Sequence, residues 1–448
     1  GQSELMAPDQ GLDPMAADFR IQGYERNDGS QAQFLTVQGP QLHAKLPGIS
    51  IEEAGSYGLT MGTIHRALYN TLAIEPGKRL FVEGASTGTG YDCLRSALSS
   101  SCAALGMVSS ADRGERVEAV GGHAINRKDS RWADIFTAVP DDPNEWAAWE
   151  AAGEPFVAEA EKQVGGQIDY SVSHAGETAF PRSFQLLGDG GVLTFYGASS
   201  GYRFTFMGKS GRSTPAEQFS KAGLRAGQSL LVVYGPGAED GIVDPVAIEA
   251  IEVGCQRGAQ VAVLADTVSQ REFVTSLGFG AQMKGVVSLE EIERRLGDDF
   301  DPPGPFQQMP NPFTESAAFK ESVRAFSART LKPIGSAIAP LLRNTLDKRG
   351  LPDVVFERAG RDGLALATSL VKPNVGKIVY SEDLKGVRLS FYAPQVWMRQ
   401  RRILMPTAEI RGTHLNPSRE FAEMQERIAA GHINVLPPTI IPMEDVPA

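Results

Sequence analysis

No apolar run in this 448-residue chain approaches the about 18 residues a helix needs to span a bilayer, and the first residues show no basic-then-apolar leader. A membrane role is therefore not expected, and the cytoplasm is the expected compartment. Cysteine is scarce: Cys93, Cys102 and Cys255 are too few and too scattered for a disulfide framework or a zinc knuckle. The six histidines form no His-Glu-x-x-His or similar spacing, so no metal site is expected. Positive charge is also in short supply. With 43 Lys and Arg against 54 Asp and Glu the net charge is −11, which argues against a general nucleic-acid or anionic-membrane binder. A local basic pocket for an anionic cofactor remains compatible with that balance. No catalytic triad or carboxylate pair stands out, and the length allows two or three domains with sizeable cores.

What is present is a glycine-rich turn in a strand-turn-helix context. Lys78-Arg-Leu-Phe-Val-Glu-Gly-Ala-Ser-Thr-Gly-Thr-Gly90 runs from an apolar strand, Leu80 to Val82, into Gly84, Gly88 and Gly90, then into helical spacing through Leu94, Ala97 and Leu98. Glycines let a phosphate approach the backbone, and the amides of a first helical turn hold its charge. A second strand, Ala104 to Val108, completes a βαβ unit, so the turn reads as a dinucleotide site; the alternative is a tight turn that binds nothing. Gly84, Ser86, Thr87, Gly88, Thr89 and Gly90 are its candidate contacts. After the second strand an NAD site carries an acid for the ribose, whereas a 2′-phosphate calls for hydroxyls and a cation. Met107-Val-Ser-Ser-Ala-Asp-Arg113 offers Ser109, Ser110 and Arg113, which favours NADPH, with Asp112 as a counter-signal and a solvated loop as the bland reading. Arg127 and Lys128, after the next short strand, add positive charge for the same phosphate.

Along the chain, residues 1 to 17 read as an irregular lead-in and Asp18 to Leu46 alternates as strands do, with Asp28-Gly29 as a hairpin turn. Ile51 to Leu72 and Trp132 to Val164 read as helical. A strand, Ile168 to Val172, leads to His174, and another, Gly191 to Tyr196, leads to Gly197. Loops at such strand ends are expected to face the nicotinamide; for His174 a structural role is the alternative. The order then repeats: Ala226 to Gly237 echoes Pro76 to Gly84, Gln260 to Ala265 the second strand, Pro352 to Gly360 the segment Gln167 to Gly176, and Val375 to Ser381 the last strand. The fold class expected is α/β, two Rossmann-like doubly wound parallel-sheet units from an internal duplication. The second turn, Tyr234-Gly-Pro-Gly-Ala-Glu-Asp-Gly241, has a proline and two acids, so this copy is read as structural, with Asp266 as the residue that would favour NAD there. Pro302 to Asn311 reads as a link, and Glu315 to Leu346 as helix broken near Pro333. The basic run Tyr392 to Arg402 is either a solvated helix face or a surface for an acidic ligand such as a coenzyme A phosphate.

Six segments carry a resemblance. Gly23-Tyr-Glu-Arg-Asn-Asp-Gly29, Tyr57-Gly-Leu-Thr60, Gly84 to Gly90, Ile125-Asn-Arg-Lys-Asp129, His174-Ala-Gly-Glu-Thr-Ala-Phe-Pro181 and Gly412-Thr-His414 resemble the medium-chain dehydrogenase/reductase family, in its crotonyl-CoA carboxylase/reductase branch. With its inserted second unit the chain is similar to the acryloyl-CoA reductase part of propionyl-CoA synthase, a fusion enzyme. The resemblance implies 1–50 as partial strands of a GroES-like barrel, 51–210 as the NADP-binding unit, 211–405 as the inserted degenerate unit and 406–448 as the return to the reductase fold. It also implies a piece of a longer polypeptide. Thr87 stands where the branch has glycine, and Tyr24 where carboxylating members have phenylalanine beside the glutamate matching Glu25. Their barrel asparagine has no counterpart, so carbon dioxide fixation is not expected.

The activity implied is hydride transfer from NADPH to the β-carbon of an unsaturated acyl-CoA thioester, then protonation at the α-carbon. Glu25 and His414 would line the reacting end and Tyr24 would shape the pocket; read alone, Glu25 is a turn residue and His414 a surface or core histidine. The partners implied are an acyl-CoA thioester and other domains of the same fusion enzyme, in a homo-oligomer, with no nucleic acid and no membrane. Two competitors stay open, a non-catalytic scaffold segment and a quinone-type reductase.

Overall fold

The structure is a computed structural model that describes residues 29–30, 32–37, 39, 42–86, 88–235, 241–303, 315–343, 349–360, 363–414, 418–433, 435 and 438. The elements follow in order: α1 (Ile51–His65), continued by a π-helical segment (Arg66–Leu72), β1 (Arg79–Val82), α2 (Gly88–Ser99), β2 (Ala103–Val108), α3 (Ala111–Glu118), β3 (His123–Asn126), α4 (Trp146–Val164), β4 (Ile168–Ser173), α5 (Phe180–Gln185), β5 (Leu187–Phe195) and β6 (Arg203–Met207). Then come α6 (Pro215–Ala222), β7 (Ser229–Val233), α7 (Pro245–Gln256), β8 (Gln260–Ala265), α8 (Val268–Ser276), β9 (Met283–Ser288), α9 (Leu289–Leu296), α10 (Ser316–Ala325), α11 (Lys332–Leu342), β10 (Val354–Glu357), α12 (Gly363–Leu370), β11 (Lys377–Val379), β12 (Arg388–Tyr392), α13 (Ala393–Val396), β13 (Arg402–Leu404), β14 (Ala408–Gly412) and α14 (Ser418–Ala429). The described residues fall into two compact units, one from 1–130, 159–172 and 413–448 and the other from 131–158 and 173–412.

The first unit holds parallel strands in the order β3-β2-β1-β4. Helix α1 starts at Ser50, whose hydroxyl accepts from Glu53 N while the Glu53 carboxylate accepts from Ser50 N, a reciprocal cap that fixes the first turn. The apolar face of α1 meets α14: Tyr57 and Met61 pack with Met424 and Ile433, Arg66 pairs with Glu420 at 2.5 Å, and Asn70 bonds Glu423.

The second unit repeats the order as β9-β8-β7-β10 and extends it through β11, β13 and β14 to β5. All neighbours run parallel except β13 and β14. The fold is thus mixed α/β with the duplicated parallel pattern. The central strands β7 and β10, and β8 from Val261 on, are buried along their whole length, as strands covered on both faces must be. Phe219, Leu230, Val232, Ile251, Val261, Val263 and Phe356 fill one side.

Several expectations need correction. Only Trp146–Val164 of the stretch from Trp132 is α-helical; 131–142 is irregular because Pro140 and Pro143 cannot donate and Trp146 Nε1 bonds the Pro140 carbonyl at 2.8 Å, fixing a turn before the helix. The described residues 32–37 and 42–46 carry no strand, since alternation makes a strand only where a neighbour supplies the ladder. The proposed hairpin before Gly29 lies outside the described residues, as do 304–311 of the expected link. The antiparallel pair β6 and β12 was not foreseen; it packs Phe204, Phe206 and Phe391 against Phe180, Phe184 and Phe195. The basic run is not a solvated helix face at Arg401, which is 4% exposed and donates to the carbonyls of Thr368, Val371 and Gln395.

Candidate functional site: the glycine turn and the ends of the second and third strands

In the first unit β1 ends in the expected turn. Glu83 N donates to the Val172 carbonyl and Ala85 N to the Met107 carbonyl, both at 3.1 Å, so the turn is tied to the strands on either side. Gly84 (φ 57°) and Gly88 (φ 41°) hold left-handed backbone. A Cβ at Gly90 would sit 2.4 Å from the Gly84 carbonyl oxygen and 2.8 Å from that of Glu83, so α2 reaches the turn only because this residue has no side chain. Gly106 of β2 does the same from below, where a Cβ would lie 2.5 Å from that of Ala85. That glycine escaped the sequence reading because it sits in an apolar strand. Ser86 is buried and Thr89 half-buried; Thr87 lies outside the described residues.

The strand ends gather the expected polar set. Arg127 N donates to the Val108 carbonyl at 2.9 Å, which brings the end of β3 beside Ser109. Arg113 Nη1 donates to Ser109 Oγ at 2.9 Å. Ser110 stands at the start of α3 in extended backbone with no side-chain cap bond, and Arg113 and Arg127 are exposed. Arg113 and Ser109 thus pair at the carboxyl end of β2, with Ser110 next to them in sequence and Arg127 following the end of the neighbouring β3; hydroxyls and cations of this kind suit a phosphate monoester. A further cation pair was missed: the Arg116 and Arg95 guanidiniums lie 4.4 and 5.9 Å from the Tyr91 ring centre. Beside it, burial raises the Asp92 carboxyl above the usual carboxylate range, against opposing effects from Arg95, the Thr60 hydroxyl and Arg116.

The remaining predicted residues are distributed. Tyr24 and Glu25 lie outside the described residues. His414 is half-buried and follows Thr413, whose hydroxyl accepts from Thr71 at 3.0 Å. His174 and Gly197 belong to the second unit. There the His174 and Tyr196 rings stack at 5.7 Å and 15°, and Gly197 (φ 69°) follows that tyrosine. The loop of His174 is held by Glu177, which accepts from Arg203 N at 2.9 Å.

One histidine the sequence gave no reason to select is His65, 1% exposed at the junction of α1 with the π-helical segment and with neither ring nitrogen hydrogen-bonded. Burial first, then the Arg427 charge, pull its pKa down to about 4, with Glu423 opposing.

In the second copy a carboxylate of the chain itself stands at the helix entrance. Asp244 accepts from Val246 N and Ala247 N at the start of α7, from Gly235 N, and from Arg358 Nε and Nη2 at 3.0 Å. Those amides and that guanidinium are what a pyrophosphate would use. Burial raises the Asp266 carboxyl, and residues 236–240 of this turn lie outside the described residues. Among the described residues no cluster of His, Cys, Asp and Glu could hold a metal, and no helix is long and apolar enough to cross a membrane.

No family model matches the chain. It is 32% identical over 210 residues to a crotonyl-CoA carboxylase/reductase of Cereibacter sphaeroides, covering 44% of this chain and 46% of that protein. It is 31% identical over 207 residues to a crotonyl-CoA reductase of Streptomyces collinus, covering 44% of each. A solved crotonyl-CoA carboxylase/reductase is similar at 30% identity and a TM-score of 0.41, over 46% of this chain and 49% of that one. The chain spans about half the length of the curated relatives it matches. Over that stretch it is similar to the crotonyl-CoA carboxylase/reductases, the branch its motifs resemble.

Proposed function

We propose that this chain reduces an α,β-unsaturated acyl-CoA with NADPH, converting acryloyl-CoA to propionyl-CoA as the reductase part of a propionyl-CoA synthase-like fusion enzyme. The observation that carries the reading is the Arg113–Ser109 pair at the end of β2, with Ser110 and Arg127 at the same strand ends, beside a glycine turn whose helix leaves no room for a Cβ at Gly90. These residues fit the coenzyme. Gly84, Ser86, Gly88, Thr89 and Gly90 would take the pyrophosphate on the first turn of α2, and the two arginines with their serines would take the 2′-phosphate. Bound there, NADPH would supply the hydride for the β-carbon of the thioester. The chain's own task is then to position the two carbons and stabilise charge on the thioester oxygen, and it calls for no strong base.

Similarity to crotonyl-CoA carboxylase/reductases supports an unsaturated acyl-CoA as the substrate class. Glu25, Tyr24 and His414 are the proposed residues at the acyl end, and tyrosine at position 24 supports reduction without carboxylation. The test is oxidation of NADPH by acryloyl-CoA and by crotonyl-CoA, followed by the absorbance of the reduced nicotinamide. Faster turnover of acryloyl-CoA is expected; binding of NADPH without turnover of either thioester would sink the reading.

A further inference from the structure

We infer that Lys221, Lys377, Arg402 and Arg411 form a second anion site, in the second unit, that takes a phosphate group. The register places the cations. Lys377 and Arg402 open the parallel strands β11 and β13 and are direct partners, and Arg402 is the direct partner of Arg411 on the antiparallel strand β14. Residues directly across neighbouring strands share a face, so three cations stand side by side on one surface of the sheet. Like charges in that relation oppose folding.

Glu409, two residues from Arg411 and so on the same face, is the carboxylate between them. It accepts from Arg402 Nε and, at 2.8 Å, from Arg411 Nη2. Burial alone would raise this carboxyl, but the hydrogen bonds from Arg411 and Arg402 hold it below the usual range, so it is ionised and fully engaged. Helix α6 adds Lys221, whose Nζ donates to the Met405 carbonyl at 3.0 Å, while Lys377 Nζ donates to the Ala222 carbonyl at the end of that helix. Each ammonium has three donors, and one backbone bond apiece leaves capacity for a ligand.

The surrounding charges do not balance the cluster. Arg225 adds to the field at Lys377; Asp189 acts on Lys221, and Asp353 is already engaged by Lys372 at 2.9 Å. With Lys372 counted beside the Asp353 it engages, six cations (Lys221, Lys377, Arg402, Arg411, Arg225, Lys372) face three carboxylates (Glu409, Asp189, Asp353), an excess of three. Burial and the Arg402 charge hold both lysine ammoniums below their ordinary range, as expected of a site short of negative charge. A phosphate monoester supplies two charges and oxygens that suit planar guanidiniums and ammoniums together. With side chains 33% and 21% exposed, Arg402 and Arg411 remain within reach of a ligand.

The test is titration calorimetry with inorganic pyrophosphate at low salt, with and without saturating NADP, beside acetylation of lysines read by mass spectrometry. One pyrophosphate site is expected that NADP does not block, with Lys221 and Lys377 protected from acetylation. Lys221→Gln and Lys377→Met should each weaken binding about tenfold, the worth of one charge-assisted hydrogen bond. Should Lys377→Met fail to fold, the exposed Lys221 variant and the acetylation pattern decide. Coenzyme A, 3′-dephospho-coenzyme A and inorganic phosphate then tell whether the group belongs to a nucleotide thiol or to a free phosphate compound. Unprotected lysines, or variants that bind pyrophosphate as the native protein does, overturn the assignment without touching the coenzyme site, to which none of these residues belongs.

Discussion

Lowering the pH from 7 to 5 should loosen the seam between α1 and α14, chiefly through His65. The ring is buried among Tyr69 of the π-helical segment and Arg427 and Glu423 of α14, and it stays neutral in the folded protein. Its folded pKa of about 4 lies below the ordinary 6.5, so the folded state refuses a proton that the unfolded state accepts. Stability is therefore intact above pH 6.5 and is lost as the pH falls from there toward 4. At about 1.4 kcal/mol per pH unit the loss at pH 5 is roughly 2 kcal/mol, about a 30-fold rise in local opening. Tryptophan fluorescence would miss it, because Trp132, Trp146, Trp149 and Trp397 all lie in the second unit. Hydrogen exchange of α1 and α14 peptides, corrected for the intrinsic pH dependence, reads it directly. In His65→Leu the pH dependence should shrink to the smaller residue left by His43, whose pKa burial also lowers. Equal loss of protection in the native protein and this variant would refute the reasoning.

Gly90→Ala drives a methyl group into two backbone carbonyls that cannot withdraw; overpacking of about 1–3 kcal/mol should weaken NADPH binding at least tenfold in a fluorescence titration while leaving the circular dichroism spectrum in place. Arg182→Ala removes a buried guanidinium that donates to the Ile135 and Trp149 carbonyls and lies 3.5 Å from the Trp149 ring centre. Stranding those carbonyls should cost about 3 kcal/mol, read as a lower urea midpoint in tryptophan fluorescence and faster proteolysis within 131–158. Burial raises the Glu357 carboxyl to about 8, so the second unit should lose stability as the pH rises from 4.5 toward 8, opposite in sign to His65. Glu357→Gln should flatten that slope in melting curves, and an unchanged slope would discount the buried acid.

What could be read from the sequence was local. Gly84 to Gly90 specify a strand, a turn and a helix within a few residues of one another, and the second copy announces itself by repeating the same short signals at Leu230, Gln260 and Val354. The pairing of β6 with β12 joins residues about 180 positions apart, and nothing in Arg203 to Met207 names its partner. His65 looks like any polar residue on a helix until α14, which follows it by some 350 positions, covers it. Arg401 lies within a basic run whose composition suggests solvent, yet its guanidinium finds the carbonyl groups around the end of α12. Asp244 occupies a helix entrance that sequence spacing marks but cannot show to be filled.

The central claim is that the ends of β2 and β3 grip a 2′-phosphate, and parallel fluorescence titrations of NADPH and NADH test it most directly. The native protein should bind NADPH at least about 30-fold more tightly, as two charge-assisted contacts to one phosphate imply. Arg113→Ala should erase most of that preference and leave NADH affinity unchanged. Equal affinity for the two coenzymes, or a preference for NADH, would contradict the account.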